Sequence, residues 1–99
     1  MEKQTEQSFE NVLGEVSENA AMVSSKAWAR FMDFIRGWER DSFEQMAGNA
    51  SSRPMTYMKL QLRWQQREAL VRGSMAWADQ AVKQRDEMFD QMKRELQNA

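Results

Sequence analysis

Apolar residues recur every three or four positions through the first half of the chain. This spacing places them on one face of an α-helix, and no stretch keeps the alternation that a strand requires. The pattern predicts one helix from about Ser8 to about Ala47, preceded by a disordered N-terminus at residues 1–7. Gly37 is a point where this helix can bend, because glycine costs roughly 1 kcal/mol in a helix interior. The stripe consists of Phe9, Val12, Val16, Ala20, Val23, Ala27, Phe31, Phe34 and Trp38.

A turn is predicted over residues 48–54, which hold the chain's one proline and its one cluster of turn-forming residues. Gly48 and Asn49 suit the left-handed conformation that often ends a helix. Ser51 or Ser52 is expected to cap the helix that follows.

The second half carries another helical stripe, which predicts a helix from about residue 55 to about residue 97. Two steps of seven residues pass over Arg67 or Glu68 and over Arg85 or Asp86, so the stripe has polar gaps. Its apolar members are Leu60, Trp64, Val71, Met75, Ala78, Val82, Phe89, Met92 and Leu96.

The predicted fold is all-α: two long amphipathic helices forming a helical hairpin, with residues 8–99 as one domain. Residues 1–50 carry five basic and nine acidic side chains, whereas residues 51–99 carry nine and six, so antiparallel docking of the two halves is favoured. A hairpin alone buries only one seam, which makes an oligomeric bundle or coiled coil the expected state. A closed hairpin and an exchange of helices between chains both remain open. The predicted helix–helix seam contains Val16, Val23, Leu60, Trp64, Val71, Met75, Val82 and Phe89.

The segment from Ala27 to Trp38 has an apolar surface wider than one partner helix can cover. It is interpreted either as the middle of a bundle core or as an adhesive face for a lipid, polymer or protein surface. Arg30 and Arg36 would frame such a face with charge, as in interfacial helices. The residues assigned to this apolar surface are Trp28, Phe31, Met32, Phe34, Ile35 and Trp38.

Composition narrows the chemistry. The chain has neither cysteine nor histidine, which excludes disulfides, thiolate or imidazole metal ligands and histidine-based catalysis. We therefore expect a protein that is not an enzyme and that carries no metal site or cofactor. The net charge of −1, with acidic residues interleaved among basic ones, argues against nucleic-acid binding.

No run of apolar residues approaches the length that a membrane span requires, and no signal-peptide pattern follows the polar N-terminus. These observations predict a cytoplasmic protein without a transmembrane segment. Any contact with a membrane or lipid is then expected to be peripheral.

From Phe43 onward the layout resembles that of phasins, the helical proteins that coat polyhydroxyalkanoate granules in bacteria. The shared pattern is an amphipathic helix, a short break, and a second helix that opens with an apolar run, a glutamine and an aromatic residue. The resemblance implies adsorption to a hydrophobic polymer surface, self-association and a location at the granule. Long tails rich in alanine or lysine, which many phasins carry, are absent. The residues that carry the resemblance are residues 42–47, the break at residues 48–54, and Met55, Met58, Leu60, Gln61 and Trp64.

Inner-rod and needle subunits of type III secretion systems offer an alternative. The runs at residues 55–60, 80–82 and 86–88 are similar to the C-terminal helix of some of these polymerising proteins, although the tryptophan-rich first helix is not typical of them. A third interpretation is a helical adaptor for one protein partner.

Overall fold

In a computed structural model the chain forms three α-helices, α1 (Glu2–Val23), α2 (Lys26–Gly48) and α3 (Pro54–Asn98). The structure describes residues 2–98, and their side chains from residue 8 onward. No strand occurs in that part of the chain. The all-α class predicted from the apolar spacing is therefore confirmed.

The chain groups into two compact units. One contains the residues up to Trp28 together with those from Trp77 onward, and the other is Ala29–Ala76. The sequence pattern treats residues 8–99 as one domain. Within residues 2–98, no helix has an apolar stretch long enough to cross a membrane.

The stretch predicted as one helix, residues 8–47, is two helices separated by Ser24 and Ser25. The Ser24 hydroxyl donates to the Ala20 carbonyl at 2.8 Å, and the Ser25 hydroxyl donates to the Met22 carbonyl at 2.6 Å. Serine side chains that bond to nearby carbonyls compete with the helical ladder, which accounts for the interruption. Helix α1 begins at Glu2, whereas the sequence pattern placed the start near Ser8 and a disordered segment before it.

Ser25 also starts the next helix. Its hydroxyl accepts a hydrogen bond from the Trp28 backbone N–H at 3.1 Å, the contact by which an N-cap residue satisfies the third residue of a helix. From this cap α2 continues to Gly48 without a break at Gly37. The interruption in the first half of the chain therefore lies at the serine pair and not at the glycine.

The serine pair changes which stripe of the helix is covered. In α1 Ala20 is buried and Val23 is half-buried, but the next covered apolar residue is Trp28, five positions later. A regular helix face advances by three or four residues, so one extra residue moves the covered face by about 100°. The buried residues of α2 consequently are Met32, Ile35, Ser42 and Met46.

The C-terminal half of α2 explains why this stripe is the covered one. The predicted stripe through Phe34 continues to Asp41 and Gln45, which are exposed. The stripe through Ile35 continues to Ser42 and Met46, which are buried. Burying an unpaired carboxylate such as Asp41 is costly, which disfavours the first stripe. The covered face also holds a carboxylate, Glu39, but this one accepts a hydrogen bond from Trp64.

The turn matches its predicted position to within one residue, since α2 ends at Gly48 and α3 begins at Pro54. Its conformation differs from the prediction, because no residue in the described part of the chain has a positive φ. Asn49 holds the turn through its side chain, which donates to the Gln45 carbonyl at 2.7 Å. The Ser52 hydroxyl, predicted as a cap, donates to the Asn49 side-chain oxygen at 3.0 Å.

Within Ala29–Ala76, helices α2 and α3 are antiparallel. Phe43 contacts Trp64 near the turn, and Arg36 contacts Met75 farther from it. This unit is a helical hairpin, but it is shorter than the predicted one, because residues 8–47 form two helices and not one.

The covered face of α3 advances by alternating steps of three and four residues. Arg67 and Arg85, at the two polar gaps of the predicted stripe, are themselves half-buried on this face. The half-buried or buried residues in that series are Tyr57, Leu60, Trp64, Arg67, Val71, Ser74, Ala78, Ala81, Arg85, Met88 and Met92.

Replacing Ser25 by alanine is expected to lower the free energy of unfolding by about 1 kcal/mol, because the Trp28 N–H loses its capping acceptor. For a chain of this size the melting temperature should fall by about 4–8 °C. Thermal denaturation followed by circular dichroism measures the change. Ser24→Ala is the matched control, since it removes only a hydroxyl-to-carbonyl bond. Equal effects of the two substitutions would contradict the capping assignment.

Gly37→Ala and Gly73→Ala are each expected to raise the free energy of unfolding by about 0.5–1 kcal/mol. Both glycines lie inside helices, and nothing lies within 4 Å of a methyl group added at either position. Urea denaturation measures the gain, with Gly48→Ala at the end of α2 as the control. A loss of stability would mean that another molecule packs against the glycine.

Candidate functional site

The structure divides the six residues that the sequence assigned to one apolar face. Met32 and Ile35 are buried in the hairpin seam. Trp28 and Trp38 are half-buried, and each contacts a residue of α3. These four side chains therefore contribute to the folding of the helices, and little of their surface is available for a partner.

Phe31 and Phe34 are the two members of that set that the structure leaves exposed. Phe34 is 71% exposed, the largest value for any side chain of α2 among the exposed large apolar residues. The stripe that contains both residues faces away from the covered stripe through Met32 and Ile35 by about 100°. The apolar surface of α2 that remains accessible is thus narrower than the sequence predicts.

Trp64 is the central aromatic residue of the hairpin seam. Its indole N–H donates to the Glu39 carboxylate at 2.6 Å. Its ring packs on Phe43, with 5.5 Å between centroids and 59° between planes. A covered tryptophan needs a partner for its N–H, and Glu39 supplies it from the opposite helix.

Arg67 occupies the first polar gap of the α3 stripe. Its guanidinium lies 4.1 Å from the centroid of the Trp38 ring, a cation–π geometry. It also donates to the Trp38 backbone carbonyl at 2.9 Å. The arginine thus bonds to the backbone of α2 and shields the tryptophan ring, which explains how a charged residue fits in the seam.

The unit that contains the chain ends has its own contacts between helices. Trp28 packs on Trp77, with ring centroids 5.8 Å apart and planes at 43°. A groove of about 310 Å³ marks where α1 lies along the C-terminal part of α3. Its lining residues are Val12, Val16, Gln84, Glu87, Met88 and Gln91.

The predicted seam residues are mostly covered. Val16 is buried, while Met75 and Phe89 are exposed. The Met75 sulfur accepts a long contact of 3.7 Å from Arg36. The half-buried members of the predicted seam are Val23, Leu60, Trp64, Val71 and Val82.

A second exposed apolar stripe lies on the first turns of α3, and the sequence pattern did not group its three members on one face. Met55, Met58 and Leu62 are 67%, 60% and 56% exposed. Their spacing of three and four residues puts them on one helix face, away from Leu60 and Trp64 in the seam. The stripe borders a shallow groove of about 330 Å³, which Lys59, Gln61 and Gln65 also line.

Sequence reasoning missed the roles of Glu39 and Arg67 because charged residues are ordinarily assigned to solvated faces. Two signals were present. Trp64 needs an acceptor for its N–H, and the seven-residue step over position 67 leaves a place in the seam without an apolar occupant. Pairing these signals requires knowing the register of the two helices.

The described side chains include no cluster of three or more acidic groups that could hold a metal ion. What residues 8–98 do offer is contact surface, which includes the two exposed apolar stripes and the charges beside them.

Comparisons with known proteins identify no relative of this chain. No protein-family model matches the chain, and neither the curated proteins nor the solved structures include a significant match.

Replacing Glu39 by leucine is expected to lower the free energy of unfolding by about 1–3 kcal/mol, because the Trp64 N–H loses its acceptor in a covered place. Glu39→Gln keeps an oxygen acceptor and should cost clearly less. Urea denaturation at neutral pH compares the two variants. If both variants lose the same stability, the hydrogen bond to Trp64 does not account for the role of Glu39.

Proposed function

We propose that this chain is a non-enzymatic amphipathic helical protein that coats an apolar surface, as phasins do on polyhydroxyalkanoate granules. The observation that carries the proposal is the exposure of large apolar side chains on helix faces directed away from the seam. Phe34 on α2 and Met55 on α3 are the most exposed members of their stripes. The proposed location is the cytoplasm, at a granule surface.

The grouping of these side chains supports the proposal more than their number does. Single exposed apolar residues are common on proteins and need no explanation. Here Phe31 and Phe34 share one helix face, and Met55, Met58 and Leu62 share another. Full burial of such a side chain contributes about 1.5–3 kcal/mol, from which the ordering costs of binding are subtracted.

The polar contacts of the seam support a coat protein that adsorbs as a folded hairpin. Glu39 with Trp64, and Arg67 with Trp38, satisfy polar groups that would otherwise need water. Opening the hairpin on an apolar surface would leave these groups without partners. We infer that the seam stays closed while the outward stripes contact the surface.

Self-association belongs to the same proposal. Without a surface to cover, the exposed stripes are expected to pack against further copies of the chain, as helices do in an oligomeric bundle or coiled coil. The alternative functions use the same stripes with another partner. A type III secretion rod subunit would bury them between successive copies, and an adaptor would bury them against one other protein.

The double substitution Phe34→Ser with Met58→Ser is expected to weaken adsorption to polyhydroxyalkanoate or oil nanodroplets by at least about tenfold, since each change removes one large apolar contact. Helix content and melting temperature should stay close to those of the unmodified chain, because both residues are exposed. Co-flotation with the droplets measures binding. Trp28→Ser is less suitable, because Trp28 packs on Trp77.

Gln66→Ser with Gln80→Ser is the matched control, because it changes two exposed polar residues of α3. Full retention of droplet binding by the Phe34 and Met58 variant would contradict the coat proposal. Filaments that grow with protein concentration would favour the rod subunit. A stoichiometric complex with one protein, without affinity for droplets, would favour the adaptor.

A further inference from the structure

Charge is segregated around the exposed stripe of α3. Residues 45–67 form the longest stretch of the chain without an acidic side chain, although the whole chain has a net charge of −1. The stretch contains the basic residues Arg53, Lys59, Arg63 and Arg67. A chain that is nearly neutral overall therefore has a locally positive region.

Three of these basic side chains are accessible, and one of them lines the groove beside the apolar stripe. Arg53, Lys59 and Arg63 are exposed, and Lys59 lines the same groove as Met58. Arg67 does not contribute, since it is engaged with Trp38. The start of α3 thus combines a row of large exposed apolar side chains with exposed basic side chains.

This helix needs no folding step before it binds. Leu60 and Trp64, on the opposite face of the same turns, already hold it in the hairpin seam. A preformed helix avoids the ordering cost that a disordered amphipathic segment has on adsorption.

We propose that residues 53–63 form a docking surface for an anionic phospholipid bilayer. Met55, Met58 and Leu62 enter the boundary between headgroups and acyl chains, while Arg53, Lys59 and Arg63 reach the headgroup phosphates. The basic side chains favour an anionic surface, because they attract negatively charged headgroups and have no such attraction to an uncharged polymer. The inference goes beyond the proposed granule coat, because it assigns the α3 stripe to an anionic lipid surface.

Co-sedimentation with vesicles tests the proposal, using phosphatidylcholine alone and phosphatidylcholine with 30 mol% phosphatidylglycerol (roughly the anionic share needed for a clear surface potential). The full chain is expected to bind the anionic vesicles at least about tenfold more tightly, and high salt should remove this preference. Lys59→Gln with Arg63→Gln should weaken binding to anionic vesicles about 25-fold, at about fivefold for each basic residue near the surface. Met58→Gln with Leu62→Gln should weaken binding to both vesicles and droplets.

Lys93→Gln with Arg94→Gln is the matched control, because it removes two exposed basic residues from the far end of α3. An equal loss in this control would overturn the proposal, since general charge would then explain the binding. Equal affinity of the full chain for both vesicle types, or none for either, would overturn it as well. So would a stable oligomer that dissociates in the Met58 and Leu62 variant, because the stripe would then be covered by a second copy.

Binding to uncharged droplets, measured beside binding to vesicles, distinguishes this inference from the proposed function. Binding to droplets without any preference for anionic vesicles would overturn the lipid surface and leave the coat function supported. Binding to anionic vesicles without any affinity for droplets would support the lipid surface and contradict the granule coat. Circular dichroism of every variant checks that the helices have formed.

Discussion

Helix α2 carries two apolar stripes about 100° apart, and helix α3 covers only one of them within their hairpin. The stripe through Ile35 is covered because it continues into Ser42 and Met46, whereas the stripe through Phe34 continues into Asp41. Covering the stripe through Phe34 would require burying the Asp41 carboxylate without a partner. The exposure of Phe34, and with it the candidate binding surface of α2, follows from this constraint.

The covered stripes are not wholly apolar, and this gives the seam its particular register. Trp64 bonds to Glu39, and Arg67 bonds to the backbone at Trp38. Such contacts add modestly to stability, but a slipped register would leave each group without its partner in a covered place. An apolar seam alone would discriminate less between neighbouring registers. The polar contacts therefore help to determine which side chains of α3 are directed outward.

One face of each hairpin helix packs in the seam, and a different face of the same helix carries the exposed apolar stripe. On α3 the seam uses Leu60 and Trp64, while Met55, Met58 and Leu62 lie outside it. An adhesive surface can then be presented without opening the hairpin. The absence of acidic residues from residues 45–67 gives that surface a charge different from the rest of the chain. The proposed coat function and the proposed lipid surface both depend on this division.

The sequence by itself determined the all-α class, the position of the turn at residues 48–54 and part of the covered face of α3, because these depend on local spacing and on turn-forming residues. Met75, Phe89 and Leu96 of the predicted α3 stripe are exposed. In residues 1–50 the sequence pattern was misleading at the serine pair. The helix break at Ser24 and Ser25 was hidden by an apolar stripe that runs without interruption from Val23 to Trp38. Only the tertiary structure decided which stripe of α2 is buried and that Glu39 and Arg67 belong to the seam. The physical reason is that burial is a property of two helices in register, and helical periodicity describes only one.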